Sequence, residues 1–250
     1  MEQRTDTGIF TRGFGAPPRD GAPNAVLVHG LGLSGRYLVP LARRLAASGT
    51  TVLVPDLPGN ARSRAAARRA LDVGQLADAL AHWHRQLSLG PSCLVANSVG
   101  CQVTAALTAR HPDLVSRMVL VGPALEPRTS GPRQFGRLLA DVPREPFSLL
   151  PLAAADYLVT GLPRCAASFR SALRDAAESF ERNLARVHAP TLVVRGSGDT
   201  IASAAWIKHV ARVVGDGRTA EMPGVAHAAH YSAPDAMAAL IEKFTEGELS

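Results

Sequence analysis

Leu94-Val95-Ala96-Asn97-Ser98-Val99-Gly100-Cys101 joins a short apolar run to a helical pattern through a serine. A serine in so tight a strand-to-helix turn must take strained backbone angles, so the residues two before and two after it must be small. Here they are Ala96 and Gly100. The helix that follows turns free backbone N–H groups toward the serine, where they can meet developing negative charge. Taken alone, the same pattern also suits a serine that caps a helix.

The neighbouring sequence repeats this alternation. Short, continuous, mostly β-branched runs lie at Ala25–Val28, Thr51–Val54, Met118–Val121 and Thr191–Val194, as expected of strands buried on both faces. Between them, Leu38–Ala47, Val73–Leu87, Val99–Arg110, Ala202–Val214 and Ala233–Phe244 carry apolar residues three and four apart. Strands alternating with helices of this length predict an α/β fold: a mostly parallel central sheet with helices on both faces. Function in such sheets collects at the carboxyl ends of the strands.

One region breaks the pattern. Residues 124–186 contain no buried strand, only Pro-punctuated amphipathic pieces such as Gln134–Leu139, Phe147–Leu158, Ala166–Ala177 and Glu178–Val187. They predict a helical cap inserted into a core made of 1–123 and 187–250, the whole forming one domain.

Two further strand ends carry chemistry. Gly196-Ser197-Gly198-Asp199-Thr200 follows Thr191–Val194 and places Asp199 in a loop, where it could also serve only as a turn or capping residue. Met222-Pro223-Gly224-Val225-Ala226-His227 follows a short strand at Thr219–Met222. Ser98, Asp199 and His227 thus follow one another in the order serine, acid, histidine, each at a strand's end.

In this order the chain resembles the α/β-hydrolase fold enzymes, from about Ala25 to Phe244. The resemblance implies Ser98 as nucleophile, His227 as base and Asp199 as the acid that orients it. His29-Gly30-Leu31-Gly32 resembles the family's oxyanion segment, which implies the backbone N–H groups of Leu31 and Val99 as oxyanion donors. Pro55-Asp56-Leu57-Pro58-Gly59 resembles the turn after the next strand. The chain departs from the family in three places. Ala96 stands where the first glycine of G-x-S-x-G is usual, Asn60-Ala61-Arg62-Ser63 replaces the more usual Gly-Xaa-Ser, and His230 competes with His227 for the base role. His227 lies nearer the strand end.

The implied activity is hydrolysis of a carboxylic ester, lactone or thioester, falling as pH drops through about 6–7. The alternatives on the same fold are carbon–carbon bond hydrolysis of vinylogous diketones, suggested by the Asn97-Ser98 pair, and a cyclase, acyl transferase or ligand receptor. Arg36, Tyr37, Asn97, Phe135 and Tyr157 are candidate substrate contacts, and Arg133 and Arg137 are further cap candidates. Cys101, Trp83 and Trp206 read as packing.

Composition narrows the rest. With 46% hydrophobic and 19% charged residues the chain is globular rather than disordered. The net charge is +6, but 25 of the 27 basic residues are arginine and they form no dense run, so no nucleic-acid partner is expected. Three cysteines, Cys93, Cys101 and Cys165, form no C-x-x-C, so no metal site is expected. Gly30–Gly35 superficially resembles a dinucleotide fingerprint, but the Pro-Gly turn after Asp56 suits the hydrolase better, so no cofactor is expected. Residues 1–15 have acids at Glu2 and Asp6 and no apolar core, unlike a signal peptide. The expectation is a soluble cytoplasmic protein with a small-molecule acyl substrate and no membrane partner.

Overall fold

Alternate residues of each central strand go to opposite faces, and this divides the core in two. Val26, Leu53, Leu94, Ala96, Leu120 and Val193 fill one layer. Leu27, Val52, Val95, Val119, Leu192 and Val194 fill the other. The computed structural model describes residues 2–17, 23–127 and 129–249. Its eight strands are β1 (Glu2–Arg4), β2 (Phe10–Phe14), β3 (Asn24–Val28), β4 (Thr51–Pro55), β5 (Ser92–Asn97), β6 (Val115–Val121), β7 (Thr191–Gly196) and β8 (Gly217–Met222). They form one sheet in the order β1-β2-β4-β3-β5-β6-β7-β8. All pairs from β4 to β8 are parallel, while β1–β2 and β2–β4 are antiparallel.

Helix α1 (Val39–Ala47) and, near the C-terminus, α9 (Ala229–Ser232) and α10 (Pro234–Glu246) cover one face. Helices α2 (Val73–Gln86), α3 (Gly100–Arg110) and α8 (Ala204–Val214) cover the other. Asp72 starts α2 with a capping box, accepting from Gln75 N–H while the Gln75 side chain accepts from Asp72 N–H. Between β6 and β7 run α4 (Gly131–Asp141), α5 (Leu149–Thr160), α6 (Leu162–Glu178) and α7 (Phe180–Leu184). The last of these differs from the others. Phe180 and Leu184 of α7 are fully buried in the core layer of α3 and α8, so the sequence boundary at 186 takes in one helix that packs with the core. Among the described residues, no helix is long and apolar enough to cross a membrane.

The two N-terminal strands are absent from the sequence reading, and the reason is chemical. β2 buries Thr11 and Arg12, which hydropathy reads as surface. Thr11 Oγ1 accepts from Trp83 Nε1 at 3.0 Å. Arg12 pairs with the fully buried Asp56 at 2.6 Å. Asp56 also accepts the N–H groups of Gly35 (2.8 Å) and Arg62 (3.3 Å), so one carboxylate fixes the strand, the loop after β3 and the turn after β4. Removing one partner of a buried pair leaves the other uncompensated, at about 3–5 kcal/mol. Asp56→Ala is therefore expected to lower the Tm by on the order of 10 °C, and thermal unfolding followed by circular dichroism checks this. An unchanged Tm would contradict the role given to the pair.

Candidate active site

Ser98 stands at the β5–α3 turn with φ +59°, in the left-handed region that a non-glycine residue takes only under constraint. Its N–H donates to the Val121 carbonyl at 3.0 Å, and its carbonyl accepts from Cys101 N–H at 3.0 Å. Gly100 is required here because a Cβ would come within 2.7 Å of the His29 carbonyl oxygen. His29 itself is a staple. Its Nε2 accepts Leu57 N–H and its Nδ1 lies on the Gly30 carbonyl, both at 2.8 Å, and burial lowers its pKa, keeping the ring neutral.

Asp199 is held from both sides. Oδ1 accepts the N–H groups of Ile201 (2.7 Å) and Ala202 (3.0 Å), which leaves Oδ2 for His227 Nδ1 at 3.0 Å. Arg195 braces the same loop from below, donating to the carbonyls of Asp199 (3.1 Å) and Ala202 (3.1 Å). Gly122 lies against the pair, where a Cβ would sit 2.8 Å from His227 Nδ1. Burial pulls the His227 pKa down, but the charge and hydrogen bond of Asp199, with Asp141 and Glu145 adding to them, raise it to about 9. Burial likewise works to raise the Asp199 pKa, and the His227 charge overrides it to hold the carboxylate below its usual range. His227 Nε2 is buried and has no hydrogen-bond partner among the described residues.

His227 and Ser98 share one cavity of about 530 Å³. Leu31 and Val99 are on its wall, and neither backbone N–H has a hydrogen-bond partner among the described residues. The opposite wall comes from the helices between β6 and β7, with Phe135, Leu138, Leu149, Tyr157 and Phe169. Two acids missed in the sequence also reach the cavity. Asp141 accepts the N–H (3.2 Å) and hydroxyl (3.1 Å) of Thr200, and Glu145 accepts Ala228 N–H at 2.6 Å. Thr200 and Ala228 are the residues after Asp199 and His227, so these two carboxylates tether both loops to the helical segment. Burial, with Asp141 alongside, pushes the Glu145 carboxyl up to about 7.

The other sequence candidates fall differently. Asn97 and Tyr37 touch the cavity, but their polar atoms are engaged internally. Gly30 N–H donates to Tyr37 Oη (2.8 Å), and Tyr37 Oη donates to Asn97 Oδ1 (2.8 Å). Asn97 Nδ2 donates to the carbonyls of Val121 (3.0 Å) and His227 (3.3 Å). They brace the site rather than face a ligand. Arg36 does not line the cavity; its guanidinium is spent on Asp156 of α5. Arg137 pairs with Glu126 at 2.7 Å, and Arg133 is exposed. His230 is fully buried, edge-on to Tyr37 with 4.7 Å between ring centroids, and burial drops its pKa to about 3. It packs beside the site while His227 meets the acid. Cys101 is sealed in the core with its thiol pushed up by burial. Among the described residues no group of three or more His, Cys, Asp or Glu is placed to hold a metal ion.

The Tyr37 hydroxyl can be tested directly. Tyr37→Phe leaves Gly30 N–H and Asn97 Oδ1 buried without this partner, at about 1–3 kcal/mol. Denaturant unfolding is expected to show that loss with an unchanged m-value; no loss would mean that the network does not support the loop.

A model of the family described as serine aminopeptidase, S33, matches residues 22–233. The pimeloyl-acyl-carrier-protein methyl ester esterase of Neisseria meningitidis serogroup C is 30% identical to this chain, over 92% of it and 97% of the relative. The 2-(acetamidomethylene)succinate hydrolase of Mesorhizobium japonicum is 24% identical over 98% and 95%. Among solved structures, an enol-lactonase from Burkholderia xenovorans superposes with a TM-score of 0.78 at 23% identity, covering 95% of this chain and 96% of that one. A match over more than four-fifths of the sequence, on a sheet of this order, places the chain in the α/β-hydrolases, and it belongs to the family described as serine aminopeptidase, S33.

Proposed function

We propose that the protein hydrolyses carboxylic esters of apolar acyl groups, with Ser98 as nucleophile, His227 as base and Asp199 as its orienting acid. The observation that carries this reading is the Asp199–His227 bond of 3.0 Å, with the far imidazole nitrogen unpartnered, on the wall of the cavity that also holds the strained serine. His227 Nε2 takes the Ser98 proton as the oxygen attacks the acyl carbon. Asp199 keeps Nδ1 protonated and stabilises the imidazolium. The N–H groups of Leu31 and Val99 receive the oxyanion, an effect worth about 2.7–4 kcal/mol per donor. His227 then protonates the leaving alcohol, and water releases the acid from the acyl-enzyme.

The cavity wall favours an ester of a hydrocarbon-rich acid. A volume of about 530 Å³ lies in the ordinary range for a drug-sized ligand. The ester-hydrolase name of the Neisseria relative agrees with this reaction class. Carbon–carbon cleavage lacks a comparable support, since the Asn97 amide that suggested it is committed to Tyr37, Val121 and His227. Residues 131–178, which carry α4 to α6, act in this reading as the cap that shapes specificity.

Labelling with a fluorophosphonate tests the nucleophile without knowledge of the natural substrate. Wild type is expected to take one label on Ser98, mapped by mass spectrometry, and Ser98→Ala to take none while staying folded. Label retained by the folded mutant would move the nucleophile elsewhere.

The pH profile tests the base. Turnover needs neutral His227, and its raised pKa means that protonation begins at higher pH than for a free histidine. The acid limb of kcat/KM is therefore expected near pH 9, above the 6–7 that the sequence suggests. Asp199, Asp141, Glu145 and His230 are the titratable groups around this ring. Glu145→Gln removes one negative charge facing the imidazolium, so its acid limb should move to lower pH. A limb that stays in place, or moves up, would separate Glu145 from the base.

A further inference from the structure

The last turn of α5 carries polar side chains inward and apolar ones outward. Its acid, Asp156, and its last threonine, Thr160, face the protein at 1% and 2% exposure, while Leu158 and Val159 face water at 73% and 48%. The inward polar groups are satisfied. Asp156 accepts Ser34 N–H (2.9 Å) and Ser34 Oγ (2.6 Å), and Thr160 accepts Ala61 N–H (3.2 Å) and donates to the Gly32 carbonyl (3.1 Å). A helix in water normally turns the opposite way.

The surroundings extend the same face. Every exposed large hydrophobic among the described residues lies between 135 and 162. Phe135, Leu139, Val142 and Leu162 are also cavity-lining, so they rim its mouth, and Phe147, at 89% exposure, stands beyond them. Charge on this stretch is one-sided. Between 131 and 170 the exposed charged residues are Arg133, Arg144 and Arg170, whereas Asp141, Glu145 and Asp156 are buried or half-buried and hydrogen-bonded within the protein. Large exposed apolar side chains concentrated in one segment mark an interaction surface.

We propose that this face docks on a lipid surface carrying anionic headgroups, with the cavity mouth against the lipid. Exposed apolar side chains and exposed arginines on one segment match the acyl boundary and the phosphate layer of such a surface. A second copy of the chain would bring the same arginines together across a self-complementary contact, which like charge opposes. Docking in this orientation lets an acyl substrate pass from lipid into the cavity without crossing water. That delivery step rests on the ester-hydrolase reading; the docking does not. Such a peripheral contact goes beyond the sequence expectation of no membrane partner and needs no spanning helix.

Vesicle flotation tests this with the full chain. The probes are vesicles of phosphatidylcholine alone and of phosphatidylcholine mixed with phosphatidylglycerol. Wild type is expected to float with the anionic vesicles, weakly with the zwitterionic ones, and less as salt is raised. The double variant Phe147→Asp with Leu158→Asp should lose about tenfold or more of the partitioning. Neither residue lines the cavity, so hydrolysis of a water-soluble short-chain ester should be unchanged. Wild type that ignores anionic vesicles, or a double variant that binds as well, overturns the proposal. So does sedimentation showing a dimer that the double variant breaks, since the face would then belong to a second copy, and so does retention by an acidic protein alone. Failure of soluble ester turnover in wild type would count against the catalytic reading and leave the flotation result standing.

Discussion

One buried amide holds the carboxyl end of the sheet in register. Asn97 ends β5 beside the strained serine, and its side chain reaches the end of β6 through Val121, the histidine loop through the His227 carbonyl and the loop after β3 through Tyr37. Gly30 N–H completes the chain of contacts at the Tyr37 hydroxyl. Each partner is buried, so each bond replaces water that cannot enter. The strands bring their ends to one rim; this network sets how those ends face each other. Without it, the aspartate and histidine loops would keep their own caps but lose a common reference to the serine.

A second set of polar bonds seats the helical segment on that rim. Asp156 grips the loop after β3, Thr160 bridges Gly32 and Ala61, and Asp141 and Glu145 hold the residues that follow Asp199 and His227. Gln102 of α3 adds a bond to the Ala172 carbonyl of α6 at 3.0 Å. The inner surface of the segment thus combines an apolar cavity wall with a few buried polar anchors. Asp141 and Glu145 also raise the basicity of the histidine, so these two side chains serve both seating and electrostatics.

How much of this was legible in the sequence depended on the range of the interaction. Strand ends are local, and Ser98, Asp199 and His227 could be found because a buried run followed by small residues is readable within a dozen positions. Helices α4 to α6 were readable as amphipathic pieces, but not their orientation, because the partner of Asp156 lies 122 residues away at Ser34. Arg36, Tyr37 and Asn97 stand out in the sequence only because they lie near Ser98 or the loop after β3. Proximity in sequence does not distinguish a side chain that meets a ligand from one that braces the loops. Asp141 and Glu145 carry one local signal, an acid at the end of α4 and a second four residues beyond it.

The Arg12–Asp56 pair has a consequence for the order in which the chain can assemble. β2 is synthesised before β3, yet it pairs with β4, which emerges about forty residues later and separates the two in the sheet. Until Asp56 leaves the ribosome, Arg12 lacks the partner it has in the fold and its strand has no ladder to join on the core side. The centre of the sheet can condense first, with β3, β4 and β5 in parallel, and the amino-terminal strand closes over its edge afterwards. Vectorial synthesis thus delivers β2 ahead of the strand it pairs with, and its place in the sheet opens only once β4 has emerged.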